Sequence, residues 1–207
     1  DSMFNDFSGF DEENNPVKVS VLPTLLISSI GIHPDVTKAV SMDVKFAGDL
    51  VYVIGMTAEE LGGSEYFMHL GSPGNRVPAL DLDAARERYG RLAKAIDKGL
   101  VASAFPVSHG GLLVALAKVS IAGRLGMEIA IPSTIRPDYY LFSESLGRIV
   151  VTVSPGSRQA FEETIGSDAV LLGRVGGPDL RVTAGRPIVD LRVADMEAAY
   201  RAPFGGY

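Results

Sequence analysis

The sequence predicts an α+β fold in which a mixed β-sheet is layered with helices. Apolar residues make up 46% of the 207 positions and charged residues 21%, a composition that supports a packed core rather than a disordered chain. Strand patterns alternate with helical patterns over most of the chain, and a hairpin pattern stands close to the C-terminus. Crossover units beside hairpins are typical of a sheet with both parallel and antiparallel neighbours.

The first part of the chain is predicted to contain strands. Val17–Val21 alternates between apolar and polar residues, and Thr24–Ile32 is almost continuously apolar, so each is predicted to be a strand. The composition changes near Phe46, where polar-flanked strands give way to alternating strands and helices. We therefore place a domain boundary there, between residues 1–46 and residues 47–207.

The middle of the chain is predicted to contain two helices of different character. Leu82–Ile96 carries apolar residues at a spacing of three and four, which predicts an amphipathic helix capped by Asp81 and ended by Gly99. Gly110–Gly123 is apolar on almost every face, which predicts a buried helix, with Ser108 as its N-cap. The other predicted strands are Asp49–Gly55, Val101–Val107, Met127–Ile131, Arg148–Val153, Ala169–Val175, Leu180–Thr183 and Pro187–Asp190, and the other predicted helices are Pro137–Ser143, Ser157–Ile165 and Ala194–Tyr200.

Charge and composition exclude several functional classes. Basic residues number 19 and acidic residues 25, and the net charge of −6 argues against a nucleic acid or an anionic membrane as partner. The longest apolar run, Leu112–Ala117, is far shorter than the roughly 20 residues that a bilayer span needs. With no cysteine, the chain has no disulfide and no thiolate metal site, and a reducing cytoplasm is the simplest compartment. His33 and His69 have no partner at metal-ligand spacing, so no metal site is predicted.

The segment Ser108-His109-Gly110-Gly111 is the first candidate for ligand binding. It follows a predicted strand and opens the buried helix, where free backbone N–H groups and the helix dipole favour a phosphate group. The glycines equally suit an ordinary helix N-terminus that packs closely on the sheet. From the residues alone this second interpretation is favoured, since short glycine motifs are common.

Two further polar segments are candidates for the lining of a cleft. Glu60-Leu61-Gly62-Gly63-Ser64-Glu65-Tyr66 is either a loop that lines a ligand cleft or an interface, or a glycine-rich turn into a short helix, and local chemistry favours the turn. Ser143-Glu144-Ser145-Leu146-Gly147-Arg148 contains a polar cluster that precedes a strongly apolar strand. Its Glu144 is either a buried acceptor for backbone N–H groups or a carboxylate beside the site, and the sequence leaves both open.

Several segments occur in an order that resembles one enzyme family. They are Asp1-Ser2-Met3 with Asn5-Asp6, Pro23–Gly31, Gly48–Tyr52, Glu60–Tyr66, Val107–Leu112 and Phe142–Ser145. Together they resemble the C-terminal part of the synthetase portion of phosphoribosylformylglycinamidine synthase. The order of the segments is far more specific than any single glycine pair, and the resemblance runs over nearly the whole chain.

The resemblance implies a fold and an activity. Residues 1–46 would be the last strands of an ATP-binding domain, and residues 47–207 the C-terminal α+β domain, both of the aminoimidazole ribonucleotide synthetase type. The full enzyme would use ATP and Mg²⁺ to amidate formylglycinamide ribonucleotide with ammonia from glutamine, in the cytoplasm. We interpret the chain, which starts at Asp1, as a fragment that is inactive alone.

The resemblance also implies partners and alternatives. The expected partners are the remainder of the synthase, including its ATP-binding domain and a glutaminase, and the ribonucleotide substrate, with neither nucleic acid nor membrane involved. A homodimer is left open. The alternatives are a non-catalytic structural or nucleotide-holding half of the synthase, or another superfamily member such as aminoimidazole ribonucleotide synthetase or selenophosphate synthetase.

The resemblance carries over to few single residues. It places no catalytic residue and no metal ligand within this chain. The residues expected at a substrate or nucleotide phosphate are Ser2, Ser108, His109, Gly110 and Gly111. The residues expected to line a cleft are Asp1, Gly62, Gly63, Glu65 and Glu144.

The sequence departs from the family at the glycine loop. The usual loop reads His-Asp-x-Ser-Asp-Gly-Gly, whereas Pro106 and His109 stand here in place of the two aspartates. Pro106 has no side-chain ligand for a metal. We therefore expect direct contact of His109 with phosphate rather than a metal-bridged nucleotide.

Overall fold

The computed structural model describes residues 2–3, 6–20, 24–132 and 134–205. The chain divides into two compact units, Asp1–Val36 and Thr37–Tyr207. Among the described residues, none of the helices has the length and apolar character needed to cross a bilayer.

The first unit consists of two antiparallel strand pairs. β1 (Ser2–Met3) pairs with β4 (Thr24–Leu25), and β2 (Asp6–Phe10) pairs with β3 (Pro16–Ser20). The turn between β2 and β3 is held by the Asp11 carboxylate, which accepts backbone N–H bonds from Glu13 and Asn15.

The predicted strand over Thr24–Ile32 is wrong beyond Leu25. Residues 26–32 are outside any strand and exposed, with Ile30 at 98% and Ile32 at 94%. An apolar run becomes a strand only when another strand supplies its hydrogen bonds, and no strand of the described residues pairs with this run.

The second unit is built on a seven-stranded mixed sheet. Its strands are β5 (Leu50–Ile54), β6 (Ser103–Pro106), β7 (Met127–Ala130), β8 (Ile149–Val153), β9 (Ala169–Val175), β10 (Asp179–Thr183) and β11 (Pro187–Arg192). They lie in the order β11-β10-β7-β9-β5-β8-β6. β7 and β10 are parallel, and the other neighbours are antiparallel. The predicted mixed sheet is confirmed.

Among the described residues of this unit, six α-helices accompany the strands. They are α1 (Glu65–His69), α2 (Leu82–Asp97), α3 (Gly111–Gly123), α4 (Pro137–Phe142), α5 (Arg158–Ile165) and α6 (Val193–Arg201). The predicted cap of α2 is present, since Asp81 Oδ1 accepts a hydrogen bond from Ala84 N at 3.0 Å. The predicted cap of α3 is wrong. Gly110, with φ at +83°, is the N-cap residue, and Ser108 lies exposed before it.

The helices cover both faces of the sheet. In β5 the side chains of Val51 and Val53 pack with α3 and α4, whereas Leu50, Tyr52 and Ile54 pack with α2 and α5. Because strand side chains alternate between faces, a strand covered on both sides is buried throughout, as β5 is. The order of layers is therefore helix, sheet, helix.

The second unit includes residues before the predicted boundary at Phe46. Val44 is buried at 1% exposure, and its N–H donates to Val119 O in α3 at 3.4 Å. The compact unit thus begins at Thr37. The domain identities expected for residues 1–46 and 47–207 stay predictions.

Candidate functional site

Three connections meet at one end of the sheet and form the candidate site. β5 ends where β8 begins, since Ile54 pairs with Ile149, and β6 ends at the same level, since Pro106 also pairs with Ile149. The residues that follow β5 and β6 and those that precede β8 therefore lie at one edge. We call residues 57–65, 107–111 and 143–148 the loop cluster.

Arg148 lies at the centre of the loop cluster. It is 1% exposed, and its guanidinium donates from Nη1 to Thr57 Oγ1 at 2.8 Å, from Nε to Ser145 O at 3.2 Å, and from Nη2 to Ser143 O. Burial lowers the pKa of Arg148 to about 10, a value at which it is still charged at neutral pH. Its own carbonyl accepts the Val107 N–H at 2.9 Å, so one residue contacts all three connections.

Two serine hydroxyls hold the connection after β5 against the segment before β8. Ser143 Oγ accepts from Glu60 N at 3.3 Å, and Ser145 Oγ accepts from Ala58 N at 3.1 Å. Both serines are buried. Backbone groups that would otherwise lack partners inside the protein are therefore satisfied by side chains, as buried loops require.

Glu144 connects the other two parts of the loop cluster. Its Oε1 accepts from Gly110 N at 2.8 Å and from Glu65 N at 2.9 Å, and its side chain is 15% exposed. Of the two roles left open by the sequence, the first is therefore observed, because the carboxylate is an acceptor for backbone N–H groups.

His109 and Ser108 lie at the outer surface of the loop cluster. The His109 side chain is 79% exposed, and its Nδ1 lies 3.5 Å from Glu65 Oε1 and 3.9 Å from Glu144 Oε2. Ser108 is exposed, and its carbonyl accepts the Gly111 N–H at 2.9 Å. The structure thus brings the predicted residues 108–111, Glu65 and Glu144 together.

The glycines of the loop cluster permit close backbone contacts. A Cβ on Gly62 would lie 2.5 Å from the Arg76 carbonyl carbon, and a Cβ on Gly111 would lie 2.7 Å from both Leu141 O and the Phe142 backbone. Gly62 N also donates to Arg76 O at 2.7 Å. These glycines are required for packing, as the interpretation from local chemistry stated.

Aromatic and capping contacts fix the short helix α1 beside the site. Ser64 Oγ caps the helix by accepting from Phe67 N at 3.2 Å and donates to Leu61 O at 2.7 Å. The rings of Tyr66 and Phe142 stack with centroids 4.4 Å apart and planes 4° apart. The stack joins α1 to the end of α4.

A cavity of about 250 Å³, not predicted from the sequence, adjoins the loop cluster. Glu60, Ser145 and Arg88 contribute to its lining. Arg88 Nη1 donates to Gly147 O at 3.2 Å, and its Nε lies 3.4 Å from Asp168 Oδ2. The sequence does contain one indication of this cavity, because the helical spacing from Ala85 and Leu92 puts the cation of Arg88 on the apolar face of α2.

The remaining predicted site residues are placed as follows. Asp1 and the side chain of Ser2 lie outside the described residues, and Gly63 is exposed with φ at +69°. Among the described residues, no three His, Asp or Glu side chains are arranged to hold a metal ion. The donors do not fit a bound phosphate in this conformation, because the amides of Gly110 and Gly111 both have acceptors within the chain.

Comparison with known proteins identifies the family to which the chain is similar. Residues 47–185 match the model of the AIR synthase related protein, C-terminal domain. Phosphoribosylformylglycinamidine synthase subunit PurL of Moorella thermoacetica is 35% identical over 187 residues, which cover 88% of this chain and 26% of the relative. The corresponding subunit of Methanocaldococcus jannaschii is 34% identical over 191 residues, with 88% and 26% covered. The chain therefore spans about a quarter of the length of these curated relatives.

Solved structures show the same fold. Thermotoga maritima PurL complexed with FGAR superimposes with a TM-score of 0.69 at 19% identity, over 78% of this chain and 30% of that one. The hydrogenase maturation protein HypE of E. coli superimposes with a TM-score of 0.55 at 17% identity, over 74% and 51%. Both the predicted α+β class and the resemblance stated from the sequence are confirmed.

Proposed function

The chain belongs to the family of the AIR synthase related protein, C-terminal domain, and from this membership we propose that it forms the C-terminal part of the synthetase portion of a phosphoribosylformylglycinamidine synthase. The observation that carries the proposal is the 35% identity to a PurL subunit over 88% of the chain. The alternatives within the superfamily have weaker support, since the HypE likeness concerns the fold alone.

The proposed reaction of the complete synthase is ATP-dependent amidation. The amide oxygen of formylglycinamide ribonucleotide attacks the γ-phosphorus of ATP, and ADP leaves. Ammonia then attacks the activated carbon, phosphate leaves with the former amide oxygen, and loss of a proton gives the amidine. Phosphorylation is needed because an amide oxygen is a poor leaving group, and such transfer depends on positioned donors and cations. The PurL of Thermotoga maritima has been solved with ATP and with FGAR.

Within that enzyme we assign to this chain a wall of the cleft rather than the chemistry. Ser108 and His109 are exposed and thus free to contact a phosphate, while Gly62, Gly63, Glu65 and Glu144 line the same edge. Contact of a phosphate with the Gly111 amide stays a prediction and requires its bond to Ser108 O to open, whereas the Gly110 amide is already bonded to the Glu144 carboxylate. ATP and Mg²⁺ would be held mainly by the remainder of the synthase.

The proposed partners are the remainder of the synthase, including the ATP-binding domain, and a glutaminase that supplies ammonia. The first unit supports such contacts, because Ile27, Ile30 and Ile32 are exposed apolar residues outside any strand. A cytoplasmic location and a homodimer are kept as further proposals.

Complementation tests the proposed function. The 207-residue chain is co-expressed with a Moorella thermoacetica PurL that ends where its similarity to this chain begins, and amidine formation is measured with ATP, ammonia and formylglycinamide ribonucleotide. We expect no turnover from either part alone and turnover from both together. The control is the shortened PurL with its own missing part. Turnover by the chain alone, or restoration by the control but not by the chain, would contradict the proposal.

A further inference from the structure

We propose that Glu144 is a positioning residue that serves as the resident anion of the loop cluster. Its carboxylate holds the backbone of Gly110 and Glu65 together and keeps external phosphate groups away from the Gly110 amide. The inference rests on the proposed function for its biological role, and it specifies how that site is closed.

The geometry of the Glu144 carboxylate supports the proposal. A single oxygen, Oε1, receives two backbone N–H groups from different connections, at 2.8 Å from Gly110 and 2.9 Å from Glu65. Hydrogen bonds to an ionised acceptor are stronger than neutral ones. With 15% of the side chain exposed, the carboxylate is also partly shielded from water, so loss of either bond leaves it poorly solvated.

The position of this carboxylate relative to helix α3 also supports the proposal. Gly110 is the N-cap residue of α3, so its amide lies at the end of the helix that carries positive partial charge. A carboxylate there is stabilised by the same field that would attract a phosphate. An incoming phosphate must displace Glu144 from the Gly110 amide and break one of the two backbone hydrogen bonds that Oε1 accepts.

The buried side of the loop cluster also supports the position of Glu144. Arg148 donates to the carbonyls of both neighbours, Ser143 and Ser145, and is itself buried. The backbone that carries Glu144 is thus held in place. Among the described residues, the other titratable side chains near the carboxylate are His109, whose Nδ1 lies 3.9 Å from Oε2, and Glu65 beyond it.

Amide hydrogen exchange of the 207-residue chain tests the proposal. The variants are Glu144→Ala, Glu144→Gln and, as a matched control from the same cluster, Glu59→Ala, whose side chain is exposed. In Glu144→Ala we expect exchange to rise about tenfold at both Gly110 and Glu65. The amides of Ala58 and Glu60, held by the serine hydroxyls, should keep their rates. Glu144→Gln retains an acceptor oxygen and should restore part of the protection.

A general loosening would be distinguishable from the proposed role. If exchange rises equally at Ala58 and Glu60, or if Glu144→Gln behaves as Glu144→Ala does, Glu144 is not a specific positioning residue. Unchanged rates at Gly110 and Glu65 in Glu144→Ala would also overturn the proposal.

Addition of inorganic phosphate tests the exclusion of anions. We expect phosphate to leave the Gly110 amide shift of the unmodified chain unchanged and to move it in Glu144→Ala. An equal effect in both would overturn the exclusion, and so would the absence of any effect in the variant. Because these readouts need no amidation, their failure is separate from failure of the complementation experiment.

Discussion

Two buried charged residues stand at opposite ends of the central strands, and their surroundings differ. Arg148 precedes β8 at the loop cluster, and its guanidinium has three acceptors. Asp49 precedes β5 at the other end, is 3% exposed, and has a buried Oδ2 that accepts no hydrogen bond from the residues that the structure describes. Burial raises the pKa of Asp49, with Lys45 opposing. A satisfied buried charge organises its neighbours, whereas an unsatisfied one costs stability.

The largest effect is expected for Arg148→Met. The change leaves Ser143 O, Ser145 O and Thr57 Oγ1 without their donor inside the protein, and we expect a loss of about 3 kcal/mol in the free energy of unfolding. Urea unfolding followed by circular dichroism measures it. The stability of Arg148→Lys should lie between that of the unmodified chain and that of the Met variant, since one ammonium cannot reach three separate acceptors in the same geometry. A loss below about 1 kcal/mol for the Met variant would show that the hydrogen bonds of Arg148 contribute little to stability.

A pair of glycine substitutions compares the two ends of the sheet. Both Gly111 and Gly48 have positive φ, at +71° and +95°, but only Gly111 has backbone atoms where a Cβ would stand. We expect Gly111→Ala to cost about 3 kcal/mol, from backbone strain and overlap together, and Gly48→Ala about 1 kcal/mol from strain alone. Thermal unfolding of the two variants measures the difference. Equal losses would show that the loop cluster is packed no more tightly than the opposite end.

Asp49→Asn should stabilise the protein at neutral pH by about 1 kcal/mol, since it removes a buried charge without a full set of partners. Because the folded pKa is raised, ionisation of Asp49 disfavours the folded state as pH rises through and above its unfolded value of about 3.9. The gain should therefore be present at pH 7 and vanish near pH 3. Melting temperatures of both proteins across this range measure it.

Asp138→Asn is the control of opposite sign. A hydrogen bond from Arg136 lowers the pKa of Asp138, so its contribution is present above the unfolded value and is lost as pH falls. The variant should be slightly less stable than the unmodified chain at pH 7 and equal to it at low pH. If Asp49→Asn and Asp138→Asn changed the stability at pH 7 in the same direction, the destabilising effect assigned to the Asp49 charge would be contradicted.

The smallest effect is expected for Ser120→Ala in α3. The Ser120 hydroxyl is fully buried and has no hydrogen bond among the described residues. Its removal should raise the free energy of unfolding by about 0.5 kcal/mol, since alanine also favours helix. A clear loss of stability, measured by urea unfolding, would indicate that the hydroxyl has a partner after all.

The sequence could predict what depends on local spacing. The amphipathic pattern and the Asp81 cap of α2 are local features, and so are the apolar strands that form the mixed sheet. The prediction of Ser108 as N-cap was wrong because the chain enters α3 through a positive φ at Gly110. The residue preferences of N-cap positions do not indicate this backbone conformation. The strand predicted over residues 26–32 was wrong because a strand forms only where a neighbouring strand supplies its hydrogen bonds.

The site itself was predicted only in outline. The three candidate segments do meet, but the bonds that join them connect residues far apart in sequence, such as Glu144 with Glu65. The role of Arg148 was not predicted, because a cation at the start of an apolar strand usually lies in solvent. Its acceptors become apparent only once the sheet brings three connections to one edge.

The stacked rings of Tyr66 and Phe142 have a practical consequence. The chain contains no tryptophan, so an indole introduced at position 142 would be its sole strong fluorophore. The Phe142 ring now lies 4.4 Å from the Tyr66 ring. The emission wavelength and intensity of an indole in its place would report whether α1 remains packed against α4. Because tyrosine absorbs little at the red edge of the indole band, selective excitation of this one tryptophan would follow the opening of this edge over time.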